Sequence, residues 1–171
     1  MTFPPPAPDW KSAYERIVAA LPAAAQQVYG ERLKALVLFG SVARGTQRPD
    51  SDIDLLLIAA PLPPQRLARI IEFEAVEAAL APLQREARAQ GVFAEFSPLI
   101  RTPEELEAGS FAFLDIPAEG RFLYDPAGIA RDYFARLAMR LEAQGAERRT
   151  IHGAPYWLLK PAAKPGEPIP L

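Results

Sequence analysis

Two short apolar runs bracketing a glycine-bearing loop restrict this chain more than any other feature. The first, Leu33–Phe39, carries a single charge; the second, Asp52–Ile58, alternates at its start and is then continuously apolar. Runs this short suit strands buried on both faces better than helices. Between them, Gly40–Asp50 holds two glycines and the turn pair Pro49-Asp50. Helical spacing flanks this core. Over Trp10–Tyr29 the residues Trp10, Tyr14, Ile17, Val18 and Leu21 form one stripe, with Pro22 expected to bend or break the helix and Gly30 to stop it. Arg66 to about Gln90 predicts a second amphipathic helix, bent or divided at Pro82 and ended by Gly91. Val92–Ile100 is a third strand candidate with Glu95 embedded in it.

Further on, Thr102-Pro103-Glu104-Glu105 has the form of a helix start, with threonine as cap, proline at the first position and acids in the first turn. Ile129–Leu141 predicts another helix. Residues 1–9 read as a Pro-rich arm, and Gly153–Leu171, rich in proline, as an extended tail. No internal repeat is present. The expected organisation is one domain over residues 1–125, with a C-terminal helix and tail over 126–171 packed on it.

The chain of 171 residues is long enough to bury a core. It has no cysteine and one histidine, His152, which excludes disulfides, thiolate zinc sites and multi-histidine metal sites. A bound metal must then be held by oxygen, which favours hard cations such as Mg²⁺ or Mn²⁺. A net charge of −2 and a pI near 5.5 argue against a dedicated duplex-binding protein, so nucleic acid is not an expected partner. No stretch approaches the roughly 18–20 apolar residues of a membrane span. The N-terminus lacks a basic segment followed by a long apolar one, so a cytoplasmic location is expected.

The chemistry concentrates in Gly40-Ser41-Val42-Ala43-Arg44-Gly45 and the later Ser51-Asp52-Ile53-Asp54-Leu55. Glycines let a backbone approach a ligand where a side chain would block it. N–H groups near Ser41, after a strand and before a helical turn, would face a bound anion, and the Ser41 hydroxyl can add a hydrogen bond. Asp52 and Asp54, one residue apart on a strand, emerge on the same face. Two carboxylates so close repel each other unless a divalent cation lies between them.

At these residues the chain resembles the minimal nucleotidyltransferases of the polymerase-β-like superfamily, a group that includes the antitoxin partners of HEPN proteins. The likeness is close over residues 33–58 and looser through the following helix and strand. It implies an α+β fold with a small mixed β-sheet flanked by α-helices. It also implies Mg²⁺-dependent (or Mn²⁺-dependent) transfer of a nucleoside monophosphate, AMP from ATP, to a hydroxyl of a protein or small molecule. Gly40, Ser41, Arg44, Gly45 and Ser51 would contact the nucleotide, and Asp52 and Asp54 would ligate metal. A third acid on a neighbouring strand helps to activate the acceptor in such enzymes. Glu95 is the candidate for that catalytic and metal-binding role, although aspartate is usual there, and a solvent-facing strand edge is its other reading.

A separate HEPN-type protein is the partner that the resemblance suggests, and a second copy of the chain is another candidate. The alternative function is a catalytically inactive nucleotide-binding or interaction module. Arg44 and Arg48 either clamp phosphate or are simply solvated. Asp50 reads as a turn residue and Asp115 as a loop or capping residue. Trp157 and Lys160 could meet a base and a phosphate, but an extended segment needs an apolar anchor, and Trp157 fits that use better. His152 is assigned no role.

Overall fold

A computed structural model describes residues 10–151 and 154–159 of the chain. The expected arm over residues 1–9, His152 and the tail from Lys160 onward lie outside the described residues. The order is α1 (Trp10–Tyr29), a 3-10 turn, β1 (Leu33–Phe39), α2 (Gly40–Arg44), β2 (Ile53–Ala59), α3 (Arg66–Ala89), β3 (Phe96–Arg101), α4 (Pro103–Glu107), a second 3-10 turn, α5 (Ile116–Glu119), β4 (Arg121–Tyr124), α6 (Ile129–Ala143), β5 (Glu147–Ile151) and β6 (Ala154–Leu158). This is the expected α+β fold, a small mixed sheet flanked by helices.

The four-stranded sheet runs β3-β2-β1-β4, with β1 antiparallel to β2 and β4, and β2 parallel to β3. Successive side chains of a strand point to opposite faces, and here both faces are dry. Leu36, Leu38, Leu55 and Leu57 join Tyr14, Ile17 and Leu21 of α1 and Phe73, Val76 and Leu80 of α3 in one core. Ala35, Val37, Leu56 and Ile58 join Phe113, Ile116, Tyr133, Phe134 and Leu137 in the other, where α6 lies. This two-sided burial is why the two apolar runs show so little alternation. Among the described residues no helix is long and apolar enough to cross a membrane.

The described residues refine three expectations. Neither proline divides its helix: α1 runs through Pro22 and α3 through Pro82. An internal proline costs about 3 kcal/mol, but buried residues flank each one, Leu21 and Ala24 in α1, Leu80 and Ala87 in α3, so packing holds the helix on both sides. The third strand starts at Phe96 rather than Val92, because the preceding residues bond elsewhere. The Phe93 N–H donates to the Pro49 carbonyl (2.6 Å), and the Ala94 carbonyl accepts from the Gln84 side chain (2.8 Å). Finally, the described start of the tail is extended and non-helical, as expected, and pairs as β6 with β5 in an antiparallel hairpin.

The helix start at Thr102 has the expected form, with a complete capping box between Thr102 and Glu105. Glu105 does a second job. Its carboxylate accepts from Arg69 Nη1 (2.6 Å) and Nη2 (3.0 Å), while Arg69 also donates to the carbonyls of Pro63 and Ile100. Arg69 is only 7% exposed, so its charge depends on this partner.

Glu105→Gln should therefore lower the Tm. Because the Glu105 side chain is 41% exposed, solvent screening reduces the expected cost to about 1–2 kcal/mol, a fall of about 2–8 °C for a chain of this size. The hydrogen bond from Arg69 holds the Glu105 carboxyl below its ordinary value of 4.5. Its contribution is thus present above that value and is lost as pH falls through the lower folded value. Thermal melts of wild type and variant should converge on acidification below about 4.5.

Candidate active site

The site lies at the end of the sheet where β1 finishes and β2 and β3 begin. Asp54 sits inside the ladder, opposite Phe39 on one side and Ser97 on the other. Asp52 precedes the first strand residue and is exposed, whereas Asp54 is half-buried. By alternation both share the face of Leu56 and Ile58. The Asp54 carboxyl is pushed above the ordinary aspartate value, first by burial and then by the charge of Asp52. A hydrogen bond with the Ser97 side chain and the nearby charge of Arg44 oppose that rise.

Within the glycine loop, Gly40 lies directly against Asp54. Gly40 has φ +72°, and a Cβ placed on it would lie 2.0 Å from Asp54 Oδ2. Only glycine both adopts that backbone and leaves the carboxylate its space. From Gly40 the chain enters the single turn of α2, whose first N–H groups have no side-chain cap among the described residues. Buried Val42 anchors the turn, and Gly45, at φ +71°, closes it by donating its N–H to the carbonyls of Ser41 and Val42.

The other sequence candidates occupy definite places. Ser41 is half-exposed in α2. The Ser51 hydroxyl accepts from the Arg48 N–H (2.8 Å), so it shapes the turn leading into the Asp pair. Arg48 and Asp50 are exposed in that loop. Arg44 donates to Glu119 Oε2 (2.8 Å). Glu119 also pairs with Arg148 of β5 (2.7 Å), and Arg148 pairs with Asp115 (2.9 Å). Asp115 accepts from Trp157 Nε1 (2.9 Å), and Trp157 packs against the α6 core. Trp157 is therefore an anchor of the hairpin.

Glu95 is not brought to the aspartates. Its side chain is 64% exposed and pairs with Arg88 Nη2 (2.9 Å) on α3, the helix covering the opposite face of the sheet. Its backbone does reach the site, because the Glu95 carbonyl accepts from the Ile53 N–H (2.8 Å). Among the described residues no three acidic, histidine or cysteine side chains gather into a metal-binding group.

The two aspartates nevertheless fit a hard divalent cation. They offer only oxygen, lie on one face, and carry a repulsion, visible in the raised Asp54 value, that a cation would remove. Sequence reasoning missed Ser97, Glu119 and Tyr14, whose hydroxyl donates to the Ser51 carbonyl (2.6 Å). Tyr14 was legible only as a member of an apolar stripe, and nothing local marked the other two.

The two loop glycines should respond differently to alanine. Gly45→Ala meets no atom of the described residues within 4 Å and should cost only the left-handed backbone penalty of about 1 kcal/mol, a Tm fall of about 2–4 °C. Gly40→Ala adds the collision with Asp54 and should fall further in a thermal melt.

Comparison with known proteins agrees with this geometry. The model of the family described as "Nucleotidyltransferase domain" matches residues 22–107, half of the chain. A Methanocaldococcus jannaschii protein named "Putative protein adenylyltransferase" is 50% identical over 44 residues, a match spanning 26% of this chain and 30% of that protein. Among solved structures, a toxin–antitoxin with AMP-PNP superposes with a TM-score of 0.50 at 19% identity, covering 74% of this chain and 90% of the other. A mutant MntA–HpeT toxin–antitoxin gives the same TM-score and coverage at 17% identity. These likenesses are of fold, and with the family match and the Gly40–Asp54 contact they lead to one conclusion: the chain belongs to the nucleotidyltransferase domain family and has the polymerase-β-like fold.

Proposed function

We propose that the chain transfers AMP from ATP, in the presence of Mg²⁺ or Mn²⁺, to a hydroxyl group of a partner protein, and that the partner is a separate HEPN-type toxin for which it acts as antitoxin. The observation that carries this reading is the close approach of Gly40 to Asp54, which supports a phosphate-binding loop lying beside metal-ligating carboxylates. The kinship with a protein named for adenylyl transfer supports the choice of reaction, and the AMP-PNP-bound toxin–antitoxin of like fold supports the nucleotide and the class of partner.

In this reading the α2 turn and the Ser41 hydroxyl receive the triphosphate, and Arg44, beside Asp54, supplies positive charge there. Asp52 and Asp54 hold the divalent cation, which when bound neutralises phosphate charge and the departing pyrophosphate. The acceptor oxygen attacks the α-phosphorus, forming one P–O bond as the bond to the bridging oxygen breaks. Pyrophosphate leaves, and the acceptor's proton passes to a base. Glu95 is the proposed base, and to act it must exchange its Arg88 pair for the acceptor hydroxyl.

That requirement gives weight to a second reading, an inactive nucleotide-binding module, because the carboxylate of Glu95 faces α3. Radiolabel transfer from α-labelled ATP to a co-purified HEPN-type partner separates the two. Under the enzyme reading wild type labels the partner, and Glu95→Gln abolishes labelling while keeping nucleotide binding. Labelling that survives Glu95→Gln would remove Glu95 as base, and no labelling by wild type would favour the module.

Binding has its own expected outcome. With ATP and Mg²⁺ near 100 times Kd, stabilisation should reach about 2.7 kcal/mol, a Tm rise of about 5–10 °C. Asp52→Asn/Asp54→Asn should lose the metal-dependent part of that rise. The same double variant without ligand should melt no lower than wild type at neutral pH if relief of the Asp52–Asp54 repulsion outweighs the lost Ser97 contact.

A further inference from the structure

Asp52 stands ahead of the ladder. Pairing of β2 with β1 begins at Asp54, and pairing with β3 begins at Ile53. Its backbone is therefore fixed by the groups on either side of it. The Ile53 N–H donates to the Glu95 carbonyl (2.8 Å), and the Ser51 N–H donates to the Arg48 carbonyl (3.1 Å). The third tie comes from a side chain across the sheet, the Tyr14 hydroxyl donating to the Ser51 carbonyl at 2.6 Å. Tyr14 is fully buried on α1, among residues of the core opposite the face of the aspartates.

The helix presenting Tyr14 is itself fixed at this end of the sheet. Glu15 takes both guanidinium nitrogens of Arg121 at the start of β4 (2.6 and 2.9 Å), and Arg121 lies opposite Leu38 in β1. Helix α1 thus cannot shift relative to the β1 end without breaking a bidentate pair. The Tyr14 hydroxyl is pushed up to about 12 by burial, with the charges of Asp50 and Asp52 adding to the rise, so it remains a proton donor throughout the neutral range.

We infer that Tyr14 is a positioning residue for the metal site: through the Ser51 carbonyl it holds Asp52 at the register where its carboxylate can share a cation with Asp54. The inference rests on the nucleotidyltransferase reading of the Asp pair. Asp54 needs no such help, being paired on both edges within the sheet. Without the Tyr14 bond, a buried hydroxyl's acceptor is left unmet and the turn over residues 48–52 is free to shift. The cost falls on geometry at the cation rather than on the core, because phenylalanine fills the same space.

A matched control exists on the same helix. Tyr29 is also buried, yet its hydroxyl has no hydrogen-bond partner among the described residues. Tyr14→Phe and Tyr29→Phe are thus the same chemical change in the same helix, and only one removes a link to the site. Two readouts apply to wild type and both variants: amide hydrogen exchange at Asp52 and Ile53 in the free protein, and the affinity for Mn²⁺·ATP by titration calorimetry.

Tyr14→Phe should speed exchange at those amides and weaken Mn²⁺·ATP binding about three- to tenfold, the range of one hydrogen bond. Tyr29→Phe should do neither. The inference is overturned if Tyr14→Phe matches wild type in exchange, or if Tyr29→Phe produces the same losses. A wild type that binds no Mn²⁺·nucleotide would instead sink the proposed function, and the exchange comparison would still decide whether Tyr14 holds the turn.

Discussion

The arrangement depends on one carboxylate set into the end of a sheet whose other central residues are apolar and dry on both faces. Asp54 is accommodated because three neighbours adapt to it. Gly40 gives up its side chain, Ser97 offers a hydroxyl and Arg44 brings a positive charge. Burial and Asp52 still push its carboxyl up, so the metal-free site holds unfavourable electrostatic energy at neutral pH. A carboxylate perturbed in this way marks a candidate functional site.

The electrostatics extend beyond the loop. Arg44, Glu119, Arg148 and Asp115 alternate in sign and end on the Trp157 indole, so the β5–β6 hairpin is joined through α5 to the glycine loop. The pairs at Arg44 and Arg148 are half-exposed, and each is worth little alone. Their value is directional: together they fix the course of the Arg44 side chain beside the glycine loop. Trp157 within the hairpin and Leu159 just beyond it lie against the α6 core.

The parts legible in the sequence were those set by local chemistry. The two apolar runs announced β1 and β2 because both faces of each strand are buried, and Thr102 and Glu105 announced a helix start because capping is a four-residue matter. The glycine loop and the paired aspartates were likewise visible, since spacing alone places Asp52 and Asp54 on one face. What was not legible depends on distant partners. The start of β3 is set by bonds from Phe93 to Pro49 and from Gln84 to Ala94. The side chain of Glu95 is taken by Arg88, a choice that no local pattern encodes. Strand β4 is a four-residue edge strand, and β5, which opens with Glu147-Arg148-Arg149, has no local pattern that marks it as a strand.

The strand order has a consequence for when the site comes into being. The loop after β1 and both aspartates lie within residues 40–54, but Ser97 belongs to β3, and Arg121, which secures α1, belongs to β4. A nascent chain therefore displays the whole signature well before it can complete the geometry around it. Contacts so distant in sequence form late and slowly compared with a hairpin. The geometry around the signature is thus complete only when the sheet closes, with β3 and β4 both in place.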